Sequence, residues 1–285
     1  MLDGVVIGVV TGSAYGILAV CLVLVYRMVG VLNLAQAAIG GVGAYACYGI
    51  YGQGLPLVIG AVVGVCVSAA VAGGAGWVIA RFFGAASPLT RTVATAIILL
   101  VLLAVGYRLF GDSPRLMPTI VPDLTFPVAG VRVSLSTLIA LAVMLTIAAA
   151  LTWVLRHTLL GIQLRALATD PLTAMALGVR THRLALGVWL VSGGLAAIAL
   201  LLIAPTYNPT FASMSLLVVP ALAAALVAGF SSGWVAAGAG LVLGVLEGVG
   251  ARIPAVAEYR GLVPFLVVVV GLIWLRRREV WDAAG

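Results

Sequence analysis

Apolar runs of about 20 residues recur from one end of this 285-residue chain to the other, and nearly every charge falls between them. At about 1.5 Å of rise per residue, a helix of that length matches the roughly 30 Å hydrocarbon core of a bilayer. No polar stretch is long enough to build a water-facing domain. Only 8% of residues are charged, where a soluble domain carries about a quarter. The fold class that follows is an all-α polytopic membrane protein, with one transmembrane domain over 1–285. The runs fall at 4–26, 31–52, 55–80, 92–110, 134–155, 184–205, 216–230, 234–250 and 261–275. About eight or nine helices are therefore expected, broken or half helices among them, with 216–230 and 234–250 doubtful as full spans.

All 15 basic residues are Arg. Without Lys the chain has no P-loop and no Schiff-base amine, so ATP hydrolysis by that route and a retinal or pyridoxal cofactor are excluded. The formal net charge of +7 reads as positive-inside loop bias rather than as a nucleic-acid surface. If the loop 156–183 is cytoplasmic, nine passes place Arg27, Arg81, Arg91, Arg156, Arg165, Arg180, Arg183 and the Arg276-Arg277-Arg278 tail on that side. Arg108, Arg115, Arg132, Arg252 and Arg260 then face outward, balanced by Asp3, Asp112, Asp123, Glu247 and Glu258. The expected orientation is N-terminus outside and C-terminus inside, with 276–285 a cytoplasmic tail. The start Met-Leu-Asp lacks the positive charge of a signal peptide, so the first helix is expected to be retained.

Chemistry-bearing clusters are missing. Cys21, Cys47 and Cys66 sit singly in apolar runs, with neither disulfide nor metal-ligand spacing. The sequence holds no Ser/His/Asp set, HExxH motif or paired intramembrane carboxylates, so an enzyme is not expected. His157 and His182 flank the long loop in solvated or headgroup positions. Glu247, with Arg252 close by, either snorkels to the interface or serves a pathway. Glycines recur every four residues at Gly4, Gly8, Gly12 and Gly16 and again at Gly240, Gly244 and Gly248. Such a face lets helices approach closely, within the chain or between subunits. Four prolines between Gly111 and Val133 bar continuous helix. That stretch is expected as an ordered external loop with a short hairpin at Phe126–Ser134, a partner's docking surface or a spacer.

Two segments carry the functional expectations. Asn33 and Gln36 are neutral amides three residues apart in an apolar run, followed by Gly40, Gly41 and Gly43. Either they bond neighbouring helices, or they mark a broken helix whose freed backbone lines a path for a neutral or zwitterionic solute. The loop 156–183 contains its own helix signals. Asp170-Pro171 is a cap followed by a first-turn proline, and Gly178 stands where a C-terminal cap belongs. The spacing predicts a helix over 171–177 presenting Leu172, Ala174, Met175 and Leu177, either to another protein's groove or to lipid.

The residues also carry a family likeness. Gly12-Ser13-Ala14-Tyr15-Gly16-Ile17-Leu18-Ala19, then Tyr26 and Gly30-Val31-Leu32-Asn33-Leu34-Ala35-Gln36-Ala37, resemble the opening of the permease subunits of branched-chain amino-acid ABC importers. Gly161-Ile162-Gln163-Leu164-Arg165-Ala166-Leu167-Ala168-Thr169-Asp170, with Ala174 and Leu177-Gly178-Val179, is similar to that family's cytoplasmic coupling segment. Gly193–Ala197, Pro209 and Gly238–Glu247 continue the likeness, which spans about residues 8–275. The chain departs where the family often has an aromatic and a His with Gly after the Asn. Leu34, Gln36 and Ala37 stand there, and Gly229-Phe230-Ser231-Ser232-Gly233 replaces a common Gly-Gly-x-Gly-Ser turn. Both departures bear on the solute, since the family includes permeases for urea, short amides and other amino acids.

The resemblance implies an ABC importer permease in a bacterial inner membrane. Its partners would be a homologous permease subunit, two ABC ATPase subunits holding ATP and Mg, and an extracytoplasmic solute-binding protein, with lipid around it. Asn33 and Gln36, and after them Tyr15, are the expected pathway residues. Arg165, Asp170, Pro171, Ala174 and Gly178 are the expected coupling residues, Arg165 meeting either the ATPase or lipid headgroups. The alternative is a stand-alone secondary transporter or channel for a small neutral solute such as urea or an amide.

Overall fold

The first apolar run forms a single helix, α1 (Leu2–Val29), apolar on every side and the most deeply buried of the long helices. A helix with no polar face belongs in an interior, and here it is the axis of the molecule. The computed structural model describes residues 2–119, 124–128, 131–206, 209–253, 260–262, 264–267 and 269–270. Next come α2 (Gln36–Tyr51), α3 (Leu57–Phe82), α4 (Pro88–Phe110), a hairpin of β1 (Thr125–Val128) and β2 (Val131–Ser134), and α5 (Leu135–His157). The long loop folds into α6 (Leu159–Thr169) and α7 (Pro171–Ala176). The chain then returns through α8 (Thr181–Ile203), α9 (Phe211–Ser215), α10 (Val218–Val227) and α11 (Gly233–Gly250).

Hydroxyl residues start many of these helices. Ser87, Ser134, Thr158, Thr210 and Ser232 each accept a first-turn N–H that would otherwise lack a partner. The expected hairpin is present and antiparallel, with Thr125 opposite Ser134 and Val128 opposite Val131.

Among the described residues, 6 helical segments are long and apolar enough to cross a membrane: Gly4–Val29, Leu57–Phe82, Pro88–Phe110, Leu135–His157, Thr181–Thr206 and Gly233–Gly250. The expected runs 31–52 and 216–230 form shorter helices. Helix α2 rises about 24 Å, and residues 30–35 ahead of it are non-helical. The ends of α1 and α3 nevertheless line one cavity with Arg91 at the start of α4, so residues 30–51 carry the chain across between them. The second run begins at Leu216-Leu217, which separate the short α9 ahead of it from α10. The end of the ninth run from residue 271, the Arg276-Arg277-Arg278 tail, and Asp123 and Glu258 lie outside the described residues.

The glycine stripes face each other inside the chain. Helices α1 and α11 pack antiparallel, with Gly4 beside Gly248 and Gly16 beside Gly240. A Cβ on Gly8 would stand 2.6 Å from the Gly244 carbonyl oxygen, and one on Gly12 2.6 Å from that of Leu241. Neither fits without parting the helices. Of the two readings of the stripes, intrachain packing is the one observed. Large apolar side chains such as Val58, Val62, Ile97 and Leu100 point away from the body on α3 and α4, as lipid-facing positions do.

Candidate functional site

The break after α1 is built from the amides singled out in the sequence. Gly30 ends the helix at φ +70°, a left-handed conformation that costs glycine little. Asn33 Oδ1 then accepts the Ala35 N–H at 3.1 Å, and Asn33 Nδ2 donates to Gln36 Oε1 at 2.7 Å. Gln36 Nε2 donates onward to the Ser192 carbonyl of α8 at 2.9 Å. Backbone freed by the break is taken up by Thr95 of α4. Its hydroxyl lies 2.8 Å from the Leu32 carbonyl oxygen and accepts the Leu34 N–H at 3.1 Å. Asn33 and Gln36 are 0% and 1% exposed, and buried amides need such partners. They tie α2 to α8 and face no open space in this conformation.

Against this break lies a cavity of about 710 Å³ at the end of the molecule where Arg27, Arg91 and His182 gather. Gly30 and Val31 form part of its wall, and Gly76 and the buried Trp189 face each other across α3 and α8. The long loop forms another of its walls, since Leu167, Pro171 and Met175 also line it. Displacing α7 would therefore change the cavity directly.

Within that loop the predicted helix is present over Pro171–Ala176. The Asp170 carbonyl accepts the Ala174 N–H at 3.0 Å, and its carboxylate accepts the Thr173 hydroxyl. At the other end Gly178 has φ +82°, with Gly178 N donating to Met175 O at 2.9 Å and Val179 N to Ala174 O at 3.0 Å. These two bonds are a Schellman cap. Ala174, expected on the presented face, turns inward at 1% exposure, while Met175 and Leu177 stand 51% and 77% exposed. The Leu172 side chain lies outside the described residues. Arg165 lies on α6, where it shares a cleft with Arg27 and Arg156.

A model of the family described as branched-chain amino acid transport system / permease component matches residues 4–272. The chain belongs to that family. It is 27% identical over 291 residues to the high-affinity branched-chain amino acid transport system permease protein LivH of Escherichia coli K12, a match spanning 93% of this chain and 91% of the relative. The LivH protein of Salmonella typhimurium LT2 is 26% identical over 292 residues, with the same coverage. These relatives are transport components, in keeping with a chain whose spans and loops suit a multi-pass membrane permease.

Tyr15 in the permease is buried and donates its hydroxyl to Glu247 Oε2 at 2.8 Å, joining α1 to α11. Glu247 is thus engaged inward, in contrast to a carboxylate reaching for the interface. At the end opposite Arg27, Arg91 and His182, Tyr45, Phe110 and Phe211 form a ring cluster with centroids 4.7–5.7 Å apart. There Tyr45 also donates to the Pro209 carbonyl at 3.0 Å, and Arg115 lies over the Tyr48 ring.

Sequence reasoning missed Thr95, Ser192 and Ser68. The Ser68 hydroxyl lies 2.8 Å from both the Ile39 and Gly193 carbonyl oxygens. The signal at Ser68 and Ser192 is a lone hydroxyl within an apolar run, which says that a partner exists without saying where, and Thr95 follows Thr90 and Thr92 with nothing to single it out.

Proposed function

We propose that the permease forms part of the translocation pathway of an ATP-binding cassette importer for branched-chain or related amino acids in a bacterial inner membrane. Its partners are a homologous permease subunit, two ATPase subunits that carry ATP and Mg, and an extracytoplasmic solute-binding protein. The observation that carries this reading is the position of α7. Both ends of the helix are fixed, by Asp170 and by Gly178, and it offers Met175 and Leu177 outward. Its Pro171 and Met175 also bound the cavity beside the chain break. An ATPase that grips α7 differently in its ATP-bound and free states would bias the permease between two conformations by that difference in binding free energy.

In this scheme Asn33 and Gln36 act on the pathway by holding α2 to α8, and Tyr15 by holding α1 to α11. Asp170, Pro171, Ala174 and Gly178 set the shape of α7, and Arg165 supports the loop beside it. The test is co-purification in mild detergent from the native membrane, followed by uptake in liposomes. Wild-type chain is expected to bring stoichiometric ATPase subunits and a second permease. Leu177→Asp is expected to lose the ATPase and ATP-dependent uptake while still inserting. A chain that purifies alone and passes a neutral solute such as urea without ATP would replace this reading with a stand-alone channel.

A further inference from the structure

A second cleft, of about 220 Å³, opens at the arginine-rich end between α1, α5, α6 and the start of α11. Three arginines line it: Arg27 from α1, Arg156 from the last turn of α5 and Arg165 from α6. Among the described residues, no Asp or Glu lines it. Arg27 is fixed on the wall by donating to the Ser231 carbonyl at 2.6 Å. The N-terminus of α11, capped by Ser232, opens at the same place and adds its positive dipole end. Three cationic residues around one small cleft give it a positive field that favours an anion. The other wall is apolar, formed by Leu151 and Leu155 of α5, with the half-exposed Trp234 as the interfacial aromatic.

We infer that this cleft binds the headgroup of an anionic phospholipid, its phosphate between Arg27, Arg156 and Arg165 and its acyl chains along Leu151 and Leu155. Guanidinium forks match phosphate oxygens in pairs, and basic pockets between membrane helices suit acidic headgroups. A free phosphate would use the arginines and leave the apolar wall idle, which is why the lipid is the ligand argued here. The inference is independent of the importer reading, because it uses only the cleft.

The experiment is native mass spectrometry of the full chain in detergent with phosphatidylglycerol or phosphatidylethanolamine added at equal ratio, each with and without inorganic phosphate. One phosphatidylglycerol per chain is expected to be retained in preference to phosphatidylethanolamine, and to resist inorganic phosphate. Each arginine neutralised should weaken retention about fivefold, so Arg156→Gln with Arg165→Gln should lower it roughly 25-fold. Arg81→Gln, on an exposed arginine outside the cleft, should leave it unchanged, and Arg156→Lys with Arg165→Lys should keep most of it. Equal retention of the two lipids, an unaffected glutamine pair, or a lysine pair as deficient as the glutamine pair would overturn the assignment. Displacement of the lipid by inorganic phosphate would overturn it in favour of a free-anion site.

Discussion

The linked amides at the chain break make a prediction that additivity would refute. In Gln36→Leu, Asn33 Nδ2 loses its acceptor, while the Ser192 carbonyl keeps the bond it accepts within α8. One buried donor is left unpaired, at about 1–3 kcal/mol. In Asn33→Leu, both the Gln36 Oε1 and the Ala35 N–H lose their partners, at about 2–6 kcal/mol. The double variant leaves only the Ala35 N–H without its acceptor, about 1–3 kcal/mol, because removing both halves of a buried pair is far cheaper than removing one. Simple addition of the single variants would give about 3–9 kcal/mol. The double variant is therefore expected to be no less stable than Asn33→Leu. The assay is thermal unfolding of the purified chain in detergent, followed by loss of the monodisperse elution peak. Destabilisation by the double variant equal to the sum, within about 0.5 kcal/mol, would show that the two amides do not share a network. Uptake by the double variant then separates the roles, since a stable variant that no longer transports ties the break to the pathway.

Three further outcomes follow from the same geometry. Gly12→Val places a branched side chain where even a Cβ would lie 2.6 Å from the Leu241 carbonyl oxygen; α1 and α11 must part, at about 1–3 kcal/mol or more, and an unchanged melting temperature would remove this contact from the account. Gly178→Ala puts a Cβ on a residue at φ +82°, at about 1–2 kcal/mol; α7 is expected to fray, with uptake reduced and membrane insertion unchanged, and wild-type uptake would sink the role of this cap. Tyr15→Phe deletes the donor to Glu247, a hydrogen bond worth about 0.5–1.5 kcal/mol, and should lower the unfolding temperature without affecting insertion.

The elements legible in the sequence were those whose signals are local. Asp170-Pro171 and Gly178 defined α7 to within one residue, since a cap and a left-handed glycine are properties of a few neighbouring positions. The hairpin before α5 was legible for the same reason. The break at residues 30–35 was legible as one of the two readings of Asn33 and Gln36, whereas the one at Leu216-Leu217 was not, because those residues are as apolar as the helices beside them. The partners of the amides were out of reach altogether. Ser192 lies 156 residues from Gln36 along the chain, and nothing in an apolar run says which distant carbonyl it will meet. The glycine stripes were legible as a contact surface, with no statement of whose, because a small-residue face serves a neighbour in the same chain as well as one in another.

The break and the loop belong to one mechanical question, since α8 touches both. Its first turns, with His182, Leu186 and Trp189, share the cavity wall with Pro171 and Met175 of α7. One turn further on, Ser192 holds Gln36, and its own hydroxyl donates to the Trp189 carbonyl at 3.0 Å. From Thr181 to Ser192 a continuous helix rises about 16 Å, a rigid strut from the exposed loop to the buried amides. Proximity of this kind is not yet coupling; coupling needs an element with two discrete states that both ends bias. The Gln36–Ser192 bond is suited to be that element. A buried amide donor held near 2.9 Å loses most of its bond when the acceptor withdraws by an ångström, so a small shift of α8 leaves it either made or broken. If α7 drives the permease through α8, the Gln36→Leu variant should keep its ATPase partner yet uncouple ATP hydrolysis from uptake, whereas Leu177→Asp should lose the partner itself. Identical phenotypes in the two variants would mean that the strut carries no signal and that the pathway is switched elsewhere.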